Sequence, residues 1–355
     1  MDGTLTYKCP NCDAGLLFNA DTQKFSCEFC LSSFTEEELL EAGCDAKAEE
    51  TAKADEEFRE NVRQYYCTNC GAEVIADLNT VADFCYYCHN PVVLSDKVSG
   101  VFKPSKVIPF KLSKEDACQS FLSYARKKIF APKNYFSKEQ IEKMRGVYYP
   151  FWVTDADTDS EFRARGKKVR SWRSGDYRYT ETSIYNVYRR GRIHFEDITT
   201  SAISTEDKAM LEGILPYPIE EYKDFSMPYL QGFLAKKRDI ERDGITGEVK
   251  GRMNGYAETL LRRTAVGYTS LDVHSADVAV LSSHWEYSLL PIWIMTYKKK
   301  NRKGKERTFV YAMNGATGKV YGEFPVSIPK LILFGLGVFI GAAALLGLIG
   351  ALAIL

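Results

Sequence analysis

The feature that most constrains this chain is a duplicated cysteine pattern. Cys9, Cys12, Cys27 and Cys30 follow the spacing CxxC-x14-CxxC, and Cys67, Cys70, Cys85 and Cys88 repeat it 58 residues later. Tyr7/Tyr65, Asn11/Asn69, Ala14/Ala72 and Thr22/Thr80 match in the same register, so a whole small unit is duplicated. A CxxC turn places two sulfurs on one side of a tight knuckle. Two facing knuckles complete a tetrahedron of thiolates, which suits Zn²⁺. Such a site has no open position for water or substrate and is structural. A unit of about 30 residues cannot bury an adequate core, so metal binding supplies most of its folding energy. Two zinc ions per chain are expected. Disulfides or a redox-active iron site are the competing readings.

The remaining cysteines, Cys44 and Cys118, fall outside the pattern and read as buried or linker thiols. His89, beside Cys88, reads as a surface histidine because four thiolates already complete the set.

The second constraint is the C-terminal run Leu331–Leu355, which contains no charged or strongly polar residue. Its 25 residues make a helix of about 37 Å at ~1.5 Å rise, against a bilayer core of ~30 Å. It is predicted to cross a membrane once. Lys330 and the upstream Lys/Arg cluster flank its N-terminal side, which places residues 1–330 in the cytoplasm. The opening MDGTLTYKCP has no apolar stretch of a secretory signal. Gly337 and Gly341 stand at GxxxG spacing, so a helix dimer through that face is a candidate contact.

The expected fold class is α+β multidomain: two small zinc ribbons, a mixed α/β body and one C-terminal transmembrane helix. Residues 1–34 form the first ribbon, 35–64 an acidic helical linker, 65–97 the second ribbon, 98–327 the body and 331–355 the span. In the linker, Thr35 and Glu38 form a capping box. In the body, VIPFKL (107–112) reads as a strand, after which Ser113 caps an amphipathic helix with Ala117, Phe121, Leu122, Tyr124 and Ala125 inward. VYYPFWV (147–153) opens a strand-rich stretch, and Ser204 opens a short helix around Met210 and Leu211. Ile245, Val249, Met253, Tyr256 and Leu260 follow helical spacing, with Gly247, Gly251 and Gly255 on another side as a packing stripe. SLLPIWIMTY, TFVYAMN and KVYGEF read as closing strands. LPIWI (290–294) echoes YPFWV (149–153), which leaves a second, decayed duplication and shared strand chemistry both open.

The net charge is zero but divided. Residues 1–97 carry 19 acids against 7 Lys and Arg, a balance of −12, and the remainder balances it at +12. An acidic head and a basic body attract each other, or the body meets an anionic partner. One basic cluster comprises Lys298, Lys299, Lys300, Arg302, Lys303, Lys305 and Arg307. It precedes the span by about 25 residues, which favours anionic lipid. Another, Arg163 to Tyr179, interleaves Arg and Lys with Trp172, Tyr177 and Tyr179, and nucleic acid is its alternative target. The acidic head argues against nucleic acid at the ribbons. No enzyme motif is present. GATGK (315–319) lacks the first half and the hydroxyl of a P-loop. His194, His274 and His284 form no recognisable set with a nucleophile or carboxylate.

The pattern YKCPNC…FSCEFC, YYCTNC…FCYYC, VFKPSKVIPFKL and GVYYPFW resembles a family of bacterial zinc-ribbon membrane proteins of the transcription factor IIB type, common in Gram-positive bacteria. The resemblance spans most of residues 1–327. The eight cysteines are the functional residues it implies. Family members are sometimes labelled a primosomal replication helicase, but this chain has no Walker motif. Asp13, Leu31 and His89 depart from the glycine usual after such cysteines, which questions knuckle geometry rather than metal binding. Some relatives are encoded near membrane-stress proteins of the phage-shock and band-7 types. By analogy the expected function is a non-enzymatic membrane adaptor or scaffold, with a protein partner at the ribbons. The alternatives are a membrane-tethered nucleic-acid-binding protein and an enzyme without a recognisable motif.

Overall fold

A computed structural model describes residues 9–12, 16–20, 22–27, 29–41, 58–67, 70–77, 85, 92–94, 103–132, 141, 143–204, 208–230, 232–300 and 306–354. Among these the chain is a mixed α/β structure with five α-helices, a small three-stranded sheet and an eleven-stranded sheet. The small sheet is β1 (Leu17–Asn19), β2 (Lys24–Ser26) and β3 (Ser33–Phe34), all antiparallel. It leads into helix α1 (Glu36–Glu41). The capping box there is real: Thr35 N–H donates to Glu38 at 2.8 Å, and Glu38 N–H to Thr35 Oγ1 at 3.3 Å.

The large sheet runs β10 (Lys223–Asp224), β7 (Lys106–Val107), β12 (Ser270–Lys300), β8 (Arg145–Ser174), β11 (Leu234–Lys236), β5 (Glu73–Asp77), β4 (Val62–Tyr66), β6 (Val93–Leu94). Strands β9 (Tyr177–Ser201) and β13 (Glu306–Asn314) pair with β8 and β12, and β14 (Val320–Gly322) with β13. The strands of the second cysteine unit are therefore hydrogen-bonded into the same sheet as the body, through β5 against β11. The body sheet is buried on both faces because its strands alternate. Tyr148 and Trp152 enter one core with Phe110, Phe121 and Trp293, while Val147, Tyr149 and Phe151 enter the other with Met210, Leu211 and Ile292.

VIPFKL is a strand only at its start. Beyond Val107 the backbone leaves the ladder, with Lys111 and Leu112 N–H bonded instead to Gly315 O at 3.0 and 3.1 Å. Ser113 then caps helix α2 (Lys114–Arg126) in a full capping box with Asp116, and Ala117, Phe121 and Ala125 are buried. The short helix around Met210 is α3 (Lys208–Gly213).

The tryptophan echo marks an internal structural repeat. YPFWV and LPIWI pair antiparallel, Tyr149 opposite Leu290. Pro150 O accepts from Ala202 N–H at 3.0 Å and Pro291 O from Gly315 N–H at 2.8 Å. Trp152 Nε1 donates to Ile240 O, and Trp293 Nε1 to Leu112 O, both at 3.0 Å. The N–H groups of Asp239 and Ile240 bond Ala202 O at 3.0 and 3.1 Å, matching Lys111 and Leu112 on Gly315 O. Two strand–helix–strand–strand units, β7-α2-β8-β9 and β11-α4-β12-β13 (α4 being Arg242–Thr264), thus face each other across an approximate two-fold axis. Each lends its first strand, in parallel, to the long strand of the other.

The units differ in hairpin length. β8, with 30 residues, together with β9 and β12, extends far beyond the core as a three-stranded antiparallel arm. At ~3.3 Å per residue β8 alone is about 100 Å long. Helix α4 (Arg242–Thr264) packs along the proximal arm. Its buried stripe is Ile245, Val249, Met253, Ala257 and Leu261, rather than Tyr256 and Leu260, which are exposed. A repeat of four winds about 40° around the helix per step, following the twist of the arm. Gly247, Gly251 and Gly255 consequently face open space and pack on nothing among the described residues. The chain closes with α5 (Ile328–Ile354). Over Ile328–Leu346 it has a mean hydropathy of 2.1 and is not buried against the body, so it is long and apolar enough to cross a membrane.

Candidate metal centres

The first cysteine unit gathers its four sulfurs from two knuckles flanking the small sheet. Cys12 N–H bonds Cys9 O at 3.3 Å, and Leu31 N–H bonds Cys27 O at 3.0 Å. Cys9 and Cys27 are buried, while Cys12 and Cys30 lie at the surface. Cys9 Sγ is 3.4 Å from Cys30 Sγ, and Cys12 Sγ is 3.4 Å from Cys27 Sγ, with all four sulfurs within 4.8 Å of one another. In the second unit Cys67, Cys70 and Cys85 cluster in the same way, Cys70 to Cys85 at 3.6 Å. Cys88 lies outside the described residues.

These separations distinguish a disulfide from a shared ion. A disulfide needs ~2.05 Å between sulfurs. A tetrahedral ion with metal–sulfur bonds of ~2.3 Å spaces its thiolates about 3.8 Å apart. The observed distances fit a shared ion, so both groups can hold a metal. At Cys30 the Ser32 hydroxyl, the Ser32 backbone and then the Cys9 thiol hold the thiol down at about 6. It is therefore largely thiolate, the form a metal binds.

Knuckle geometry survives the missing glycine. Gly71 takes φ +75° with its N–H on Cys67 O at 2.9 Å, and Leu31 takes φ +58° with the equivalent bond to Cys27 O. Leu31 therefore occupies the left-handed region that glycine enters freely. Asp13 and His89 are outside the described residues. Cys118 is a half-buried thiol raised by that burial, with its sulfur 4.0 Å from Met144 Sδ, and Cys44 lies outside the described residues.

Both units are tied to the basic body. Phe18 and Phe25 pack on Tyr229 at 5.0 and 5.3 Å, and Gln23 Nε2 donates to Phe110 O at 2.6 Å. Lys223 pairs with Glu36, and Lys237 with Glu73 at 2.9 Å, so acidic head and basic body do attract each other. Between the first unit and α2 lies a cleft of about 590 Å³ lined in part by Phe18, Leu31, Phe233 and Trp293.

The two basic clusters sit at opposite ends of the large sheet. Ser270 of β12 stands opposite Lys167, partway out along the arm, and Lys300 of β12 pairs with Glu306 at the other end. Lys298 is exposed there, and Lys299 and Lys300 continue the strand. Arg302, Lys303 and Lys305 lie outside the described residues. The other cluster forms the distal arm, whose residues from Lys167 to Asn186 are exposed on both faces apart from a half-buried Ser183. Trp172 stacks on Tyr179 across the strands (5.8 Å, 14°), and the Arg170 guanidinium lies 5.7 Å from the Trp172 ring.

Two histidines do have carboxylate partners: His284 Nε2 lies 3.5 Å from Glu286, and His194 meets Asp157. Asp157 lies opposite His194 on β9 and near Ser282 on β12. It accepts from Ser282 Oγ at 2.9 Å and lies 2.8 Å from His194 Nδ1. The hydrogen bond to Asp157 raises the His194 pKa, and the same bond lowers that of Asp157. The carboxylate stands between the other two groups, so the imidazole is not placed to activate the serine. Only strand register brings these residues together, which is why no sequence spacing betrays them.

No family model matches the chain, and no solved structure matches it. A protein of Bacillus subtilis (strain 168) named uncharacterized protein YdjG is 31% identical over 334 residues, covering 94% of this chain and 94% of the relative. With similarity running nearly end to end through both proteins, the chain belongs to the family of YdjG.

Proposed function

We propose that the protein is a membrane-anchored adaptor that binds two structural zinc ions, faces the cytoplasm and performs no chemistry of its own. The observation that carries this reading is the outer knuckle of the first unit. There Phe29 and Leu31 are 83% and 84% exposed on the loop that carries Cys30, one of four sulfurs within 4.8 Å of one another, on a body joined to an apolar helix. Large apolar side chains held rigidly in water suit a protein partner, since little ordering entropy opposes their burial. A four-thiolate ion would hold the loop without offering a reactive position. The resemblance to zinc-ribbon membrane proteins agrees with this. Lys298, Lys299 and Lys300, with Arg302, Lys303 and Lys305 beyond them, would meet anionic headgroups beside the span.

The test is affinity capture of the full chain from detergent-solubilised membranes, comparing the native protein with Phe29→Ser. A partner recovered with the native chain and lost with the variant, at unchanged metal content, is the expected result. An identical set of captured proteins would sink the reading.

The distal arm favours a second reading. Its stacked Trp172 and Tyr179 beside Arg170, Arg173 and Arg178 form a cationic platform on which bases of single-stranded nucleic acid can stack. Tight binding of single-stranded RNA or DNA at physiological salt, abolished by Trp172→Ala, would promote it.

A further inference from the structure

The last helix does not leave the body on a free tether. Ser327 N–H, just ahead of α5, donates to Phe130 O at 2.7 Å, and Lys330 Nζ donates to Ala131 O at 2.7 Å and reaches Ile129 O at 3.5 Å. One turn further into the apolar run, the Phe334 ring meets the Phe130 ring edge-on at 5.3 Å. The segment after α2, residues 127–131, is thus fastened to the first turns of the candidate span, with Phe130 at the depth of Phe334.

The chemistry of that segment suits the same boundary. It reads Arg126-Lys127-Lys128-Ile129-Phe130, with Arg126 and Lys127 exposed and Ile129 61% exposed. Val326 and Ile328 add exposed apolar surface beside it, at 44% and 64%. Lys128 folds back over the Tyr124 and Phe324 rings at 4.6 and 5.1 Å. A loop whose apolar tip reaches the acyl boundary gains from satisfying its carbonyls internally, because the hydrocarbon below holds no water. This one does so: Lys128 O accepts from Ala131 N–H at 2.9 Å, Phe130 O from Ser327 and Ala131 O from Lys330. The Lys330 charge sits on those carbonyls at the level where a lysine flanking a span normally lies.

We propose that Lys127–Ala131 is a second membrane contact, with Ile129 and Phe130 inserted at the headgroup–acyl boundary of an anionic bilayer, Arg126 and Lys127 on its phosphates, and the body held at a fixed attitude. The proposal rests on α5 being a span. It adds that the body is docked on the bilayer rather than hung from it. The topology then turns the arm outward. The chain reaches α5 through Glu323, whose N–H bonds Val310 O at 2.9 Å and whose carboxylate lies 3.8 Å from Arg307. It therefore leaves at the end of the sheet opposite the arm tip.

The test uses the full chain reconstituted in vesicles of phosphatidylcholine and phosphatidylglycerol, with and without bromine on the acyl chains. Ile129→Trp reports the loop and Phe339→Trp reports the span, each read as fluorescence added to that of the parent protein. Both positions are exposed, Phe339 at 72%, so neither change disturbs packing. Bromolipid should quench the added fluorescence of both variants. Quenching of Trp at 339 with none at 129 would overturn the docked loop and leave the anchor standing. Quenching of neither would overturn the anchor, and the loop with it.

Discussion

Replacing Leu31 by glycine should strengthen metal binding by the first unit. Leu31 holds φ +58°, a conformation that costs an L-residue about 1–2 kcal/mol. Its side chain is 84% exposed, so truncation forfeits little burial. Glycine removes the strain but adds unfolded-chain entropy of about 0.4–1 kcal/mol. The difference leaves a net stabilisation of roughly 0.5–1 kcal/mol. With folding of the unit linked to metal binding, as proposed, this is expected as an affinity gain of about two- to fivefold. The assay is competition with a chromogenic chelator, following release of the first equivalent in reduced protein. Gly71→Ala is the counterpart in the second unit. Nothing lies within 4 Å of its added Cβ, so the penalty is the backbone strain at φ +75° alone, and affinity there should fall by a similar factor. Weaker metal retention in Leu31→Gly would refute the argument that strain, and not contact, governs this position.

Two further outcomes follow from the arm. Gly251→Ala, in the middle of α4 with open space where its Cβ would lie, should stabilise the protein by about 1 kcal/mol, read from denaturant unfolding; a loss would mean that the glycine stripe is covered by something. His194 should titrate above its ordinary 6.5, because Asp157 holds its proton. Its contribution to arm stability is complete below that value and disappears as pH rises through the raised one. Asp157→Asn should return the NMR titration of the ring towards 6.5, and an unmoved titration would remove Asp157 as the cause.

Much of this was legible because local chemistry wrote it. The cysteine spacing, the capping residues Thr35 and Ser113, and the uninterrupted apolar tail each act over a few residues. Cys9, Cys12, Cys27 and Cys30 come together as their spacing requires, and so do Cys67, Cys70 and Cys85. The arm was not legible. Its strands keep the apolar/polar alternation of a half-buried sheet only to about Ala164, where Leu261 and Ala265 cover it, and then mix Val169, Trp172 and Ile184 with Arg and Lys, exposed on both faces. Such a pattern carries no period that fixes where a strand ends. On α4, Tyr256 and Leu260 fit an ideal helical stripe, but the twist of the sheet selects Ala257 and Leu261 instead. The structural repeat of the body shows in sequence mainly as two tryptophans. Its real signature is a set of backbone bonds, from Ala202 and Gly315 to Pro150 and Pro291, that no side-chain pattern announces.

The central claim is that two thiolate centres organise a chain held on a membrane. Elemental analysis of the full protein, extracted from membranes under reducing, chelator-free conditions, tests it most directly. The two cysteine groups predict two zinc ions per chain, with Cys9→Ser and Cys67→Ser each removing about one. A metal content near zero in protein that remains folded would contradict the account.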